Sequence, residues 1–78
     1  PNPFNPVTNI KYSLPKTGFV SIKIYDVVGR MVKELVSEVK ETGSYSVAFN
    51  GSQFASGVYF YRFETGSFSD TKRMVLVK

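Results

Sequence analysis

Val58-Tyr59-Phe60-Tyr61-Arg62-Phe63 is the most strand-prone run in the chain. Aromatic and β-branched side chains lose rotamer freedom in a helix but pack well on a pleated surface, so the stretch reads as a β-strand continuing to Thr65. Its borders agree: Gly57 precedes it, and Gly66-Ser67 is turn chemistry after it. Toward the C-terminus the last segment starts at Phe68 and ends in Met74-Val75-Leu76-Val77, again β-prone. Toward the N-terminus, Tyr45, Val47 and Phe49 alternate with Ser44, Ser46 and Ala48, the period of a half-buried strand, and Asn50-Gly51 is a strong turn signal. Residues 52–57 are expected to form a short irregular connector, with Phe54 and Ala55 plugging one end of the core.

The same alternation continues upstream. Ile10, Tyr12 and Leu14 share one face and Lys11 and Ser13 the other, and Pro15-Lys16-Thr17-Gly18 closes that strand. Val20, Ile22 and Ile24 are expected to face inward, with Ser21, Lys23 and Tyr25 outward. Asp26-Val27-Val28-Gly29-Arg30 follows as a hairpin turn in which Gly29 supplies positive φ. One stretch is ambiguous. Val32, Leu35, Val36 and Val39 fall at helical spacing, and Glu34 and Glu38 are four residues apart. The flanking hairpin signals and the shortness of the run favour a strand over residues 31–36, then a loop to Gly43. Pro1-Asn2-Pro3-Phe4-Asn5-Pro6 fixes φ repeatedly, so residues 1–8 are expected to be an extended lead-in from an upstream linker. Residues 9–78 then form a single all-β, immunoglobulin-like antiparallel β-sandwich of about six or seven short strands.

Composition narrows the function. In 78 residues, most of the 42% hydrophobic fraction, with seven Phe and five Tyr, is needed to build one core, and little remains for an organised pocket. The chain has no Cys, His or Trp, so the usual structural zinc sites and the thiolate or imidazole nucleophile systems cannot be assembled. No cofactor is expected. Ten Lys and Arg against six Asp and Glu give a net charge of +4, but the cations are scattered, unlike the basic stripe of a nucleic-acid binder. No apolar run approaches the roughly 20 residues that span a bilayer. The sequence starts at Pro1 without a basic and apolar leader, so the expectation is a piece of a larger exported protein.

Few residue groupings suggest chemistry. Glu34, Glu38 and Glu41 read as a solvated face or loop rather than an acid–base or metal site, and Asn50, Ser52 and Glu64 are too dispersed for a calcium loop. A glycosidase pair is not excluded by residue type, but nothing builds a cleft around one. Tyr59, Tyr61 and Phe63 share a strand face opposite Phe60 and Arg62; a stacking platform for sugars or single-stranded nucleic acid is weighed against core packing, which a domain this small favours. The C-terminal Lys72-Arg73-Met74-Val75-Leu76-Val77-Lys78 combines strand propensity with bracketing cations. It reads equally well as a final strand guarded against edge-to-edge pairing and as an accessible strand for a receptor.

Five spaced elements together resemble a known family. The opening Pro1-Asn2-Pro3-Phe4-Asn5-Pro6, the Tyr25-Asp26-Val27-Val28-Gly29-Arg30 hairpin, Gly43 before a strand, Ala55-Ser56-Gly57-Val58-Tyr59 and the Lys72–Lys78 ending occur in the order and spacing of the type A C-terminal sorting domain of the type IX secretion system. The resemblance implies a domain that travels with an upstream cargo through the periplasm and is read by the outer-membrane translocon. A surface sortase-like protease then removes it, often attaching the cargo to anionic lipopolysaccharide, so that the cargo ends at the cell surface or in the medium. By matching position it assigns Asp26, Gly29 and Arg30 to the hairpin motif, Gly43 and Gly57 to turn positions, and Lys72, Arg73, Met74, Val75, Leu76, Val77 and Lys78 to the terminal signal. Phe49 before Asn50-Gly51, with the overall pattern, is also similar to the immunoglobulin-like domain of flagellar hook-capping proteins, which implies a structural interaction module. A fibronectin-like spacer and a carbohydrate-binding accessory domain of a secreted hydrolase are further alternatives.

Overall fold

The computed structural model describes residues 7–77; the proline-rich segment 1–6 and Lys78 lie outside the described residues. Six antiparallel strands follow one another: β1 (Val7–Leu14), β2 (Gly18–Tyr25), β3 (Met31–Lys40), β4 (Gly43–Asn50), β5 (Gly57–Thr65) and β6 (Phe68–Leu76). They form two sheets, β1-β4 and β3-β2-β5-β6. Each strand that pairs across the sandwich carries its apolar set inward. Ile10 and Leu14, Val20, Ile22 and Ile24, Val36, Phe49, Tyr59 and Leu76 are buried together between the sheets.

β2 runs through the middle of the larger sheet, paired with β3 on one side and β5 on the other, which is why its three inward residues are fully buried. Ser21 faces outward as its period requires. Yet strands on both flanks leave it only 7% exposed, and its hydroxyl has no hydrogen-bond partner among the described residues.

β3 corrects the loop expected after residue 36: the strand continues to Lys40. The register also explains the helix-like spacing. Val36 opposes Ile22 and Glu34 opposes Lys23, then Lys33 opposes Ile24 and Met31 opposes Tyr25, so Leu35 and Val32 are each an extra residue in an irregular pairing. Bulges of this kind break the two-residue period. They let Val32 and Leu35 both pack against the core beside Val36, an i, i+3, i+4 pattern produced by a strand. Val39, the fourth residue of the apparent helical stripe, lies outside that core, exposed opposite Phe19.

The connector after β4 matches its expectation in part. Phe54 stacks on Phe49 with ring centroids 5.7 Å apart and packs against the core, whereas Ala55 is exposed. Ala55 contributes through its carbonyl, which accepts a 2.7 Å hydrogen bond from the Tyr59 hydroxyl. The same device occurs at the β3–β4 corner, where the Tyr45 hydroxyl donates to the Glu41 carbonyl at 2.6 Å. In both corners a glycine two residues before the tyrosine, Gly43 or Gly57, holds φ at 153°. A tyrosine that ties a strand start to the backbone upstream is a recurring corner in sandwiches of immunoglobulin type.

An even number of alternating strands returns the chain to the end from which it started. Val7 pairs with Asn50, and the next residue, Gly51, lies against Leu76 at the close of β6. The start of β1, the end of β6 and the 26–30 hairpin therefore share one end of the sandwich, while Gly43 opposes Leu14 at the other.

Candidate functional site: the C-terminal edge strand

Among the described residues β6 lies at the edge of the four-stranded sheet, bonded to β5 on one side only. Along its length Thr65 opposes Phe68, Tyr61 opposes Lys72, Phe60 opposes Arg73, Tyr59 opposes Met74 and Gly57 opposes Leu76. Opposed residues of an antiparallel pair share a face. Phe68, Asp70, Lys72, Met74 and Leu76 therefore lie on the inner face, and Ser69, Thr71, Arg73 and Val75 on the outer one. The smaller sheet has only two strands and does not cover all of this inner face. Phe68, Asp70 and Lys72 stay exposed, Met74 is half-buried, and Leu76 alone on β6 reaches full burial, at 7%. Val75 is 55% exposed and Val77 follows the strand in the open.

Inward-facing charges such as Asp70 and Lys72 are a device that discourages unselective sheet-to-sheet pairing. The outward backbone edge remains unpaired by any described strand all the same. Between β1 and β6 a cavity of about 180 Å³ opens, with Ile10, Tyr12 and Phe63 at its floor and Asp70 and Lys72 at its rim. The strand is thus open along its backbone edge and on most of both faces, and is fixed mainly at its far end.

The hairpin residues make a self-contained turn. Asp26 Oδ1 accepts the backbone N–H groups of Val28 at 3.0 Å and Arg30 at 2.9 Å, and Oδ2 accepts from Arg30 Nε at 3.0 Å. The Gly29 N–H donates to the Asp26 carbonyl, and Gly29 holds φ at +90°. The Arg30 backbone N–H is the main reason the Asp26 carboxyl sits below its ordinary range; the Arg30 side chain adds to it. Asp26, Gly29 and Arg30 thus hold the turn together. What they present is Val27 and Val28, each 70% exposed, which sequence reasoning did not single out. A shallow depression of about 310 Å³ lined by Tyr25, Val27, Phe60, Arg62 and Thr71 joins this hairpin to the outer face of β6.

Of the residues expected to matter, the structure brings Gly57 and the described part of the C-terminal run together and sets the hairpin near them. Gly43 is at the far end. Gly51 belongs with the group although it read only as half of an Asn-Gly turn. The two tyrosine corners were also legible in principle, as Thr42-Gly43-Ser44-Tyr45 and Ser56-Gly57-Val58-Tyr59. The Tyr59, Tyr61 and Phe63 face points into the sandwich, so these rings are packing and not an open platform. Glu38 is paired with Lys40 at 3.1 Å, and Glu34 and Glu41 are exposed, so the three clustered carboxylates lie on the surface.

The profile of the secretion-system C-terminal sorting domain matches residues 1–78, the whole chain. No curated protein and no solved structure matches the chain significantly. A whole-length match carried by a six-strand sandwich with an open terminal strand fixes the assignment. The chain belongs to the C-terminal sorting domains of the type IX secretion system, a non-catalytic family that is recognised by that system and directs its attached cargo to the cell surface or the medium.

Proposed function

We propose that β6 is the element the secretion system reads, and that the outer-membrane translocon reads it edge-on in the periplasm. The observation that carries this is the position of β6: an unpaired backbone edge, with most side chains exposed on both faces and its end anchored in the core. Adding a strand to such an edge supplies affinity through main-chain hydrogen bonds and specificity through alternate side chains. Arg73, Val75 and Thr71 are the outer-face set available for that reading. Lys72 and Lys78 flank it as cations, and Met74, Leu76 and Val77 complete the signal. Asp26, Gly29 and Arg30 serve the site by holding Val27 and Val28 at the same end, and Gly57 by opening the strand on which β6 lies.

The cargo joins through the lead-in of residues 1–8, whose last two residues, Val7 and Thr8, already open β1 of the sandwich. Because β1 starts beside the end of β6, a surface sortase-like protease acting at that junction works next to the signal. Cross-linking tests the reading. A photoreactive residue at Thr71 or Val75 of a fused reporter is expected to capture the translocon during export, and one at Val39 on the opposite edge strand is not. Equal capture from both edges, or capture from Val39 alone, overturns it.

A further inference from the structure

Gly51 sits in a turn with little freedom. The Ser52 N–H donates to Asn50 Oδ1 at 3.0 Å, the Phe54 N–H donates to the Gly51 carbonyl at 2.9 Å, and Phe54 is stacked on buried Phe49. Its own φ is not among the positive values, so backbone conformation is not what requires glycine here. Space is. A Cβ at this position would stand 2.6 Å from Leu76 Cδ1 and 2.9 Å from Cδ2, closer than carbon atoms approach without something moving. The groups in the way are the ends of one flexible side chain rather than backbone. What must yield to a methyl at 51 is therefore Leu76, the one fully buried side chain on β6.

We infer that Gly51 is a positioning residue of the sorting signal: the missing side chain is a socket that receives Leu76 and so holds the free end of β6 in register along β5. This rests on the reading of β6 as the element recognised. It adds that the signal is presented as an ordered edge and not as a loose tail. The rest of the strand supports the inference. Phe68, Asp70 and Lys72 face the core side but remain exposed, and Met74 is only half-buried, so side-chain anchorage is concentrated at Leu76. A receptor that adds a strand to β6 needs its donors and acceptors already spaced, and ordering them beforehand removes a cost from binding.

The test is a double-mutant cycle on the whole domain fused behind a folded reporter, with Gly51→Ala, Leu76→Ala and both together. Amide exchange reads the strand and export reads the signal. Gly51→Ala is expected to speed exchange at Met74 and Leu76, whose N–H groups face β5, by about tenfold while the amides of Ile22 and Ile24 keep their protection, a local opening rather than a global one. Export is expected to fall to the level of Leu76→Ala, and the double variant to be no worse than Leu76→Ala alone, because no side chain is left to clash. Unchanged exchange at Met74 and Leu76, additive losses, or unfolding of the whole domain that Leu76→Ala does not relieve would overturn the socket. So would normal or raised export from a domain whose strand end has been loosened. If the exchange coupling holds but Arg73→Glu and Val75→Glu export normally, it is the reading of β6 as signal that fails, and the use of the socket for sorting fails with it.

Discussion

Asp26 accepts three hydrogen bonds from the turn it opens, two from backbone N–H groups and one from Arg30 Nε. Its folded carboxyl is held below the ordinary value near 3.8, so the stabilisation is complete above that value and is lost as pH falls through the lowered one. Melting temperature is expected to drop between about pH 5 and pH 2, and more steeply for the natural chain than for Asp26→Asn; parallel profiles would separate Asp26 from the acid response. Gly29 is the second residue with a sharp requirement. A Cβ there meets nothing within 4 Å, so the cost of Gly29→Val is backbone strain alone, about 1–2 kcal/mol, and Gly29→Asn is expected to cost less. Chemical denaturation measures both, and an unchanged midpoint for valine would contradict the positive φ. Ser21 is the reverse case: its buried hydroxyl is unpaired among the described residues, and Ser21→Ala is expected to stabilise the domain by about 1 kcal/mol. Loss of stability instead would mean that the hydroxyl has found a partner.

At the scale of the strands, β5 separates two faces that the sequence alternation left open. Tyr59 is buried with its hydroxyl on the Ala55 carbonyl, while Phe60 lies on the opposite face, between Tyr25 and Arg73, outside the core cluster. Tyr59→Ala is therefore expected to cost about 3–5 kcal/mol and Phe60→Ala clearly less, with equilibrium unfolding as the check. Equal costs would mean that the outer face of the sheet is buried in solution. Legibility followed the same divide. Strands with strict alternation, as in Ile10-Tyr12-Leu14 and Val20-Ile22-Ile24, could be read directly, since one buried face dictates every second residue. β3 could not, because the irregular pairings at Leu35 and Val32 reproduce helical spacing and no local signal marks a strand that runs on to Lys40. The C-terminal run was legible as a strand, but which of its residues is anchored was not. That depends on the contact between Leu76 and Gly51, far apart in sequence.

At the scale of the whole molecule, the start of β1, opposite Asn50, and the end of β6, against Gly51, lie at one end. A four-stranded sheet backed by a two-stranded one leaves β6 partly uncovered, which gives a small domain an accessible edge. Because Leu76 belongs to the core, removing residues 74–78 would damage the fold together with the proposed signal. Exposed positions separate the two, since surface substitutions usually change stability by no more than about 0.5 kcal/mol. The most direct test of the central claim, that β6 of the folded domain carries the sorting information, is the location of a fluorescent reporter fused to residues 1–78 in a bacterium with type IX secretion. The fusion carries an inner-membrane export signal, and a sister fusion carries Arg73→Glu and Val75→Glu. The account predicts surface or medium delivery for the natural domain and periplasmic retention of a fully folded double variant; equal delivery of the two would contradict it.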